Sequence, residues 1–140
     1  MLLDTNVISE LAKPAPDATV AAWLLTIPDE DLRLCVLSLG EIQKGADLLD
    51  PGARRDAVAA WLGGLSREFS ERILPVDERV ALCWGSLCAS ARRAGRTRPP
   101  IDSLIAATAI VHNTTLATRN IRDFEGTGAR LCNPWEFGGR

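Results

Sequence analysis

Apolar residues recur along this chain with two alternating periods. Val20, Trp23, Leu24 and Ile27 fall on one face of a helix that Asp17, just after Pro16, is placed to cap. Val58, Trp61, Leu62, Leu65 and Phe69 form a second helical stripe after the Pro51-Gly52 break. Val80, Trp84, Leu87, Cys88 and Ala91 form a third, which Gly95 is expected to stop. The segment from Ile101 to Val111 is apolar nearly all round, which predicts a buried central helix. Between these stripes lie short apolar runs of strand type: Leu2-Leu3, Leu32 to Leu37, Ile73 to Val76, Thr115 to Ala117 and Arg130 to Cys132. Strands alternating with helices predict an α/β fold, a parallel sheet covered on both faces. No repeat, low-complexity tract or long linker interrupts the pattern, so a single domain over residues 1–140 is expected.

Composition changes this picture little. The chain is 46% hydrophobic and 24% charged, ordinary for a soluble globular protein. No apolar run is long enough to span a bilayer, and no secretory signal pattern is present, so a cytoplasmic protein is the default expectation. Cys35, Cys83, Cys88 and Cys132 include no Cys-x-x-Cys pair and no neighbouring histidine, which argues against zinc and for reduced, buried thiols. The net charge of −2 does not mark a nucleic-acid binder by itself. However, lysine occurs only at Lys13 and Lys44, so arginine carries nearly all the positive charge, and its planar fork suits phosphate. The single histidine, His112, falls near the end of the central helix, where packing or a helix-dipole role fits better than catalysis.

Ligands of open α/β sheets bind at the carboxyl ends of the strands, and acidic residues recur there. Asp4 follows the first strand in Leu3-Asp4-Thr5-Asn6, and Glu41 opens the helix after the second, in Ser38-Leu39-Gly40-Glu41. Asp102 heads the central helix after Pro99-Pro100-Ile101, and Asp123 follows a later strand in Thr118-Arg119-Asn120-Ile121-Arg122-Asp123. Each has an ordinary structural explanation. Asp4 suits a helix cap, Ser38 and Glu41 a capping box, Asp102 a helix-dipole partner and Asp123 a turn. Gathered into one crevice, though, carboxylates repel by roughly 3 kcal/mol per pair at about 5 Å. Such a cluster needs a cation, and an oxygen-only ligand set selects Mg²⁺ or Mn²⁺.

These motifs, in this order and at these separations, resemble those of PIN-domain ribonucleases of the VapC toxin type. The carriers are Leu3 to Glu10, Ser38 to Gly45, Asp102 to Ala109, and Thr118 through Asp123-Phe124. The resemblance implies a three-layer α/β/α sandwich with a short-stranded parallel sheet. It also implies a Mg²⁺- or Mn²⁺-dependent endoribonuclease that forms a homodimer and is inhibited by a cognate antitoxin. The family's acidic quartet maps onto Asp4, Glu41, Asp102 and Asp123 as catalytic and metal-binding residues. Asp4 and Asp102 are the principal ligands. Thr118 takes the family's small polar position, with Asn6, Ser38 and Asn120 in support.

The reaction this implies is hydrolysis by a water deprotonated with help from Asp102 or Asp123, leaving 5′-phosphate and 3′-hydroxyl ends. Replacing Asp4 or Asp102 with asparagine is expected to abolish cleavage while leaving metal-free stability unchanged or raised. Arg92, Arg93, Arg96 and Arg98, with Arg119 and Arg122, are the expected RNA contacts. A receiver or phosphotransfer domain is disfavoured because no lysine follows Lys44. The remaining alternative is a catalytically inert PIN-like module that binds RNA or protein, but such a module has no need to keep all four acids.

Overall fold

The computed structural model describes residues 1–139. Five parallel strands, β1 (Leu2–Leu3), β2 (Arg33–Cys35), β3 (Ile73–Leu74), β4 (Leu116–Ala117) and β5 (Leu131–Cys132), form one sheet in the order β3-β2-β1-β4-β5. Seven α-helices connect them among the described residues: α1 (Thr5–Leu11), α2 (Ala18–Leu24), α3 (Val36–Asp47), α4 (Ala53–Glu68), α5 (Glu78–Arg93), α6 (Pro100–Val111) and α7 (Ile121–Phe124).

The strands are short, but their side chains alternate strictly between two cores. Leu3, Leu34 and Ala117 join Val7, Ile8, Trp23, Ile42 and Phe69 on the face covered by α1, α2 and α4. Leu2, Cys35 and Leu116 join Ile105, Ala106, Ala109 and Phe124 on the opposite face. The α/β/α layering expected from the sequence is therefore present.

Several local expectations are met. Asp17 caps α2, its carboxylate accepting from the amides of Thr19 (2.8 Å) and Val20 (3.3 Å). Gly95 follows α5 with φ +73° and closes it through Gly95 N–H to Arg92 O, at 3.0 Å. The central helix α6 buries Ser103 and the whole run Ile105 to Ala109.

Four strands are shorter than the apolar runs suggest, β4 and β5 by one residue at the start and β2 and β3 by more. β3 stops at Leu74 because Pro75 has no amide to extend the ladder. β2 stops at Cys35, where the chain turns straight into α3, so Val36 and Leu37 are helical. Of the cysteines, only Cys35 is fully buried; Cys83, Cys88 and Cys132 are half-covered, and all four are free thiols.

The tryptophans divide by role. Trp23 is a core residue, and Trp61 packs half-buried against the same core. Trp84 on α5 donates its Nε1–H to Ser103 Oγ at 3.0 Å, which ties α5 to the first turn of α6. Trp135 lies in the short 3-10 turn Pro134–Glu136 after β5 and packs against the first core, as its place at the sheet edge predicts. No helix among the described residues is long and apolar enough to cross a membrane.

Leu34 is fully buried at the centre of the sheet, whereas Leu82 on α5 is 67% exposed. Leu34→Ala is expected to remove about 2–5 kcal/mol of stability and Leu82→Ala less than about 0.5. Urea unfolding of the two variants measures this, and equal losses would contradict the core assignment.

Candidate functional site

The strand order places a crevice beside β1. From β1 the chain builds outward through β2 and β3, then returns to add β4 and β5 on the other side. The carboxyl ends of β1 and β4 thus lie together at the topological switch point, where α/β sheets bind ligands. Asp4 and Thr118 are the first residues beyond those ends. The Asp4 amide donates to Ala117 O and the Thr118 amide to Cys132 O, both at 2.9 Å.

Asp4 is both a helix cap and the buried centre of this site. It caps α1 from an extended conformation, and it is only 5% exposed. Its carboxylate accepts from the Thr5 amide (2.8 Å), Asn6 Nδ2 (3.0 Å) and Thr118 Oγ1 (2.7 Å). Thr118, wholly buried, also accepts from the Asn120 amide at 3.0 Å and from Asn6 Nδ2 at 3.3 Å. Asn6 Oδ1 in turn accepts from the Arg119 amide at 3.2 Å. Burial pushes the Asp4 carboxyl above its usual range. Glu41 adds to that, while the bonds from Thr118, Thr5 and Asn6 oppose it.

Asp102 is held differently. It sits in the first turn of α6, half-buried, and no hydrogen bond reaches its carboxylate among the described residues. Its carboxyl is pushed up to about 6, first by desolvation and then by the charges of Asp4, Asp123 and Glu41. All four predicted acids therefore act on one point. Asp123 stands exposed on α7, a helical turn where the sequence suggested a plain turn.

The capping box expected of Ser38 and Glu41 does not form. α3 begins at Val36, five residues before Glu41, so both side chains lie inside the helix and the cap position is Cys35. Glu41 instead reaches across to α1, its Oε1 accepting from Thr5 Oγ1 at 2.7 Å. Thr5 is a residue of the candidate site that sequence reasoning missed. The only signal for it was its place between Asp4 and Asn6, since nothing local to the motif shows that α3 lies opposite. Ser38 Oγ is fully buried with no hydrogen-bond partner, so it does not support the acids by a bond. Asn120 contributes its backbone amide rather than its side chain.

The arginines separate into three groups. Arg92 and Arg93 occupy the last turn of α5, and with Arg96 and Arg122 they are exposed. Arg119 lies with its guanidinium 5.2 Å from the Trp135 ring centroid, a cation–π pair at the mouth of the crevice. Arg98 is half-buried and hydrogen-bonds to the Asp123 and Glu125 carbonyls.

The donor set fits a hard divalent cation. The four acids offer carboxylate oxygens alone, and the ion pairs among the described residues, Lys13–Glu10, Arg55–Asp47 and Arg79–Asp77, involve none of them. The charge is thus uncompensated by the protein. No three acidic, cysteine or histidine side chains among the described residues close into a ready cage. An open site of this kind suits Mg²⁺, which keeps several waters and needs only one or two carboxylates.

Comparison with known proteins identifies the family. The PIN domain family matches residues 1–129. The VapC ribonuclease Y4jK of Sinorhizobium fredii is 36% identical over 137 residues, covering 97% of this chain and 98% of that protein. Toxin FitB of Neisseria gonorrhoeae is 37% identical over 136 residues, covering 96% and 98%. The solved structure of FitAcB from Neisseria gonorrhoeae aligns with a TM-score of 0.89 at 36% identity, over 97% of this chain and 99% of that one. VapBC-1 from nontypeable Haemophilus influenzae, at 23% identity and a TM-score of 0.76 over 95% and 96%, shares the fold.

The two central aspartates are expected to respond oppositely to amidation. Asp102 titrates near 6 in the folded chain against an ordinary 3.8, so the folded state holds its proton more tightly. The resulting destabilisation is absent below the lower value, grows as pH rises through that interval, and is complete above about 6. In EDTA, Asp102→Asn should therefore melt above the parent at about pH 7.5, with the difference vanishing near pH 4. Asp4→Asn should melt below it, because its new NH₂ must face one of the three donors. This divides the common expectation drawn from the sequence. A parent-like or lower melting temperature for Asp102→Asn at the higher pH would contradict the cost of desolvation and repulsion assigned to this carboxylate.

Proposed function

The chain belongs to the PIN-domain family, and from that premise we propose that it is a Mg²⁺- or Mn²⁺-dependent endoribonuclease, the toxin of a toxin–antitoxin pair in the cytoplasm. The observation that carries the reading is the buried Asp4 held by Thr118 at the carboxyl ends of β1 and β4, with Asp102 beyond it burdened by desolvation and by the charges of Asp4, Asp123 and Glu41. The near full-length likeness to a VapC ribonuclease and to toxin FitB supports the nuclease and toxin roles. The likeness to FitAB bound to a DNA fragment, at 36% identity and over 96% of this chain, supports a cognate antitoxin as partner. A homodimer completes the proposed assembly.

Asp4 and Asp102, with Glu41 and Asp123, would hold the ion. When bound, Mg²⁺ or Mn²⁺ supplies Lewis acidity toward the phosphoryl oxygens and the attacking water. The chain's own residues set the rest. Asn6 and Thr118 fix one Asp4 oxygen through two donors, and the Thr5 amide fixes the other, so this carboxylate has a single orientation. The Thr5 hydroxyl orients Glu41 in the same way. Asp102, bound by no donor, is the carboxylate free to turn toward an attacking water and take its proton, with Asp123 beside it. The ribose 2′-hydroxyl has no part in this chemistry, so preference for RNA must come from recognition. Arg92, Arg93, Arg96, Arg119 and Arg122 line the approach for the phosphate backbone.

Purified protein should cut total cellular RNA in Mg²⁺ or Mn²⁺ and not in EDTA. Asp4→Asn and Asp102→Asn should each lower the rate by about 10²-fold or more. Absence of cleavage by folded protein in Mn²⁺ would favour the inert binding module. Alanine at Arg92, Arg93 and Arg96 together should weaken RNA binding and flatten its salt dependence, by about 0.7 in the log–log slope for each phosphate no longer neutralised. An unchanged slope would remove these three from the interface.

A further inference from the structure

Arg98 does something other than wait for a phosphate. It lies in the segment joining α5 to α6, two residues before α6 starts and four before Asp102. Its guanidinium reaches across to α7, Nη2 donating to Glu125 O at 2.6 Å and Nη1 to Asp123 O at 3.4 Å.

α7 needs such a partner. It is only four residues long and the chain leaves it extended at Glu125, so few of its carbonyls meet the amide of a following turn. Ile121 O accepts from the Glu125 amide at 3.1 Å, and Phe124 O from the Thr127 amide at 3.2 Å and Thr127 Oγ1 at 2.6 Å; the carbonyls on either side of Phe124 are taken by Arg98. Beneath the guanidinium lies Gly126 at φ +75°, where a Cβ would come within 3.1 Å of Arg98 Nη2. A side chain here would press on the guanidinium, and the positive φ favours glycine in its own right.

The two elements joined by this clasp carry Asp102 and Asp123. Pro99 and Pro100, with their fixed φ angles, make the link from Arg98 to the first turn of α6 stiff. Asp123 is exposed and makes no side-chain hydrogen bond among the described residues, so its place is set by where α7 sits. Phe124, 1% exposed, anchors α7 to the core, where the helix packs on α6 and β5. Two bonds from one guanidinium add a tie at the end of α7 that follows Asp123.

We propose that Arg98 is a positioning residue, a clasp that holds α7 against the entry to α6 and so fixes Asp123 relative to Asp102. Its catalytic consequence rests on the nuclease reading above, while its structural consequence does not.

The experiment uses Arg98→Ala and Arg98→Lys in the full chain, with two readouts. The first is amide hydrogen exchange, which needs no activity. The Glu125 and Thr127 amides should exchange at least about tenfold faster in both variants, while α4 and the sheet stay as in the parent. The second is kinetic. Both variants should lose about tenfold to a hundredfold in kcat with KM changed little. RNA binding by the same variants in an Asp102→Asn background should keep the parental salt slope. Lysine keeps the charge but cannot span two carbonyls as the planar fork does. If Arg98 instead met a phosphate, Arg98→Lys would retain near-parental binding and kcat, Arg98→Ala would flatten the salt slope, and exchange around α7 would not move; that pattern overturns the clasp. If the parent chain cuts no RNA, the nuclease reading fails, and the exchange data alone decide whether the clasp exists.

Discussion

Two residues of backbone, Leu2 and Leu3, pair with β2 on one side and β4 on the other, and this narrow central strand decides where the acids can stand. Because the sheet grows in both directions from β1, the chain must change direction beside it, and the switch leaves Asp4 and Thr118 adjacent at the open end of the sheet. The side chains of the two leucines point to opposite cores, so both helical layers are registered on the same short element. α1 starts directly from Asp4, and α6 packs over Leu2, which brings Asp102 to the same end. A shift of one residue in β1 would exchange its two core faces and withdraw Asp4 from the crevice.

The site is built under tension of two kinds, resolved unequally. Asp4 is almost wholly covered, and three donors answer its burial. Asp102 meets the field of three other carboxylates with no donor among the described residues. A fold optimised for stability alone would neutralise one of these acids or supply a lysine. Instead the guanidinium that reaches α7, that of Arg98, faces backbone carbonyls rather than the carboxylates. Uncompensated charge at the mouth of an otherwise well-bonded crevice is the usual sign that function overrides stability locally.

Much of this arrangement was legible in the sequence. The period of the apolar residues marked α2, α4, α5 and α6, and the rule about strand ends led to Asp4, Glu41, Asp102 and Asp123. What stayed hidden depends on contacts far apart in the chain. Ser38 and Glu41 match a capping box by spacing, yet β2 ends so early that both fall inside α3, and the partner of Glu41 is Thr5, 36 residues away. Arg98 reads as one member of a basic stretch, because a sequence does not reveal which of four neighbouring arginines has carbonyls within reach. The two-residue strands were visible only as apolar runs, and Pro75 is the single local reason for where one of them stops.

The bond from Thr118 Oγ1 to Asp4 joins residues 114 positions apart, and it has a consequence for the order of events during synthesis. Asp4 leaves the ribosome 114 residues ahead of the partner that orients it. Contacts of such long range also form late, since the loop they close must first be ordered. A nascent polypeptide that has emerged as far as α5 therefore still lacks a formed site. If the proposed activity is directed at cellular RNA, the template and translation machinery are spared until Thr118 has been added and has reached Asp4.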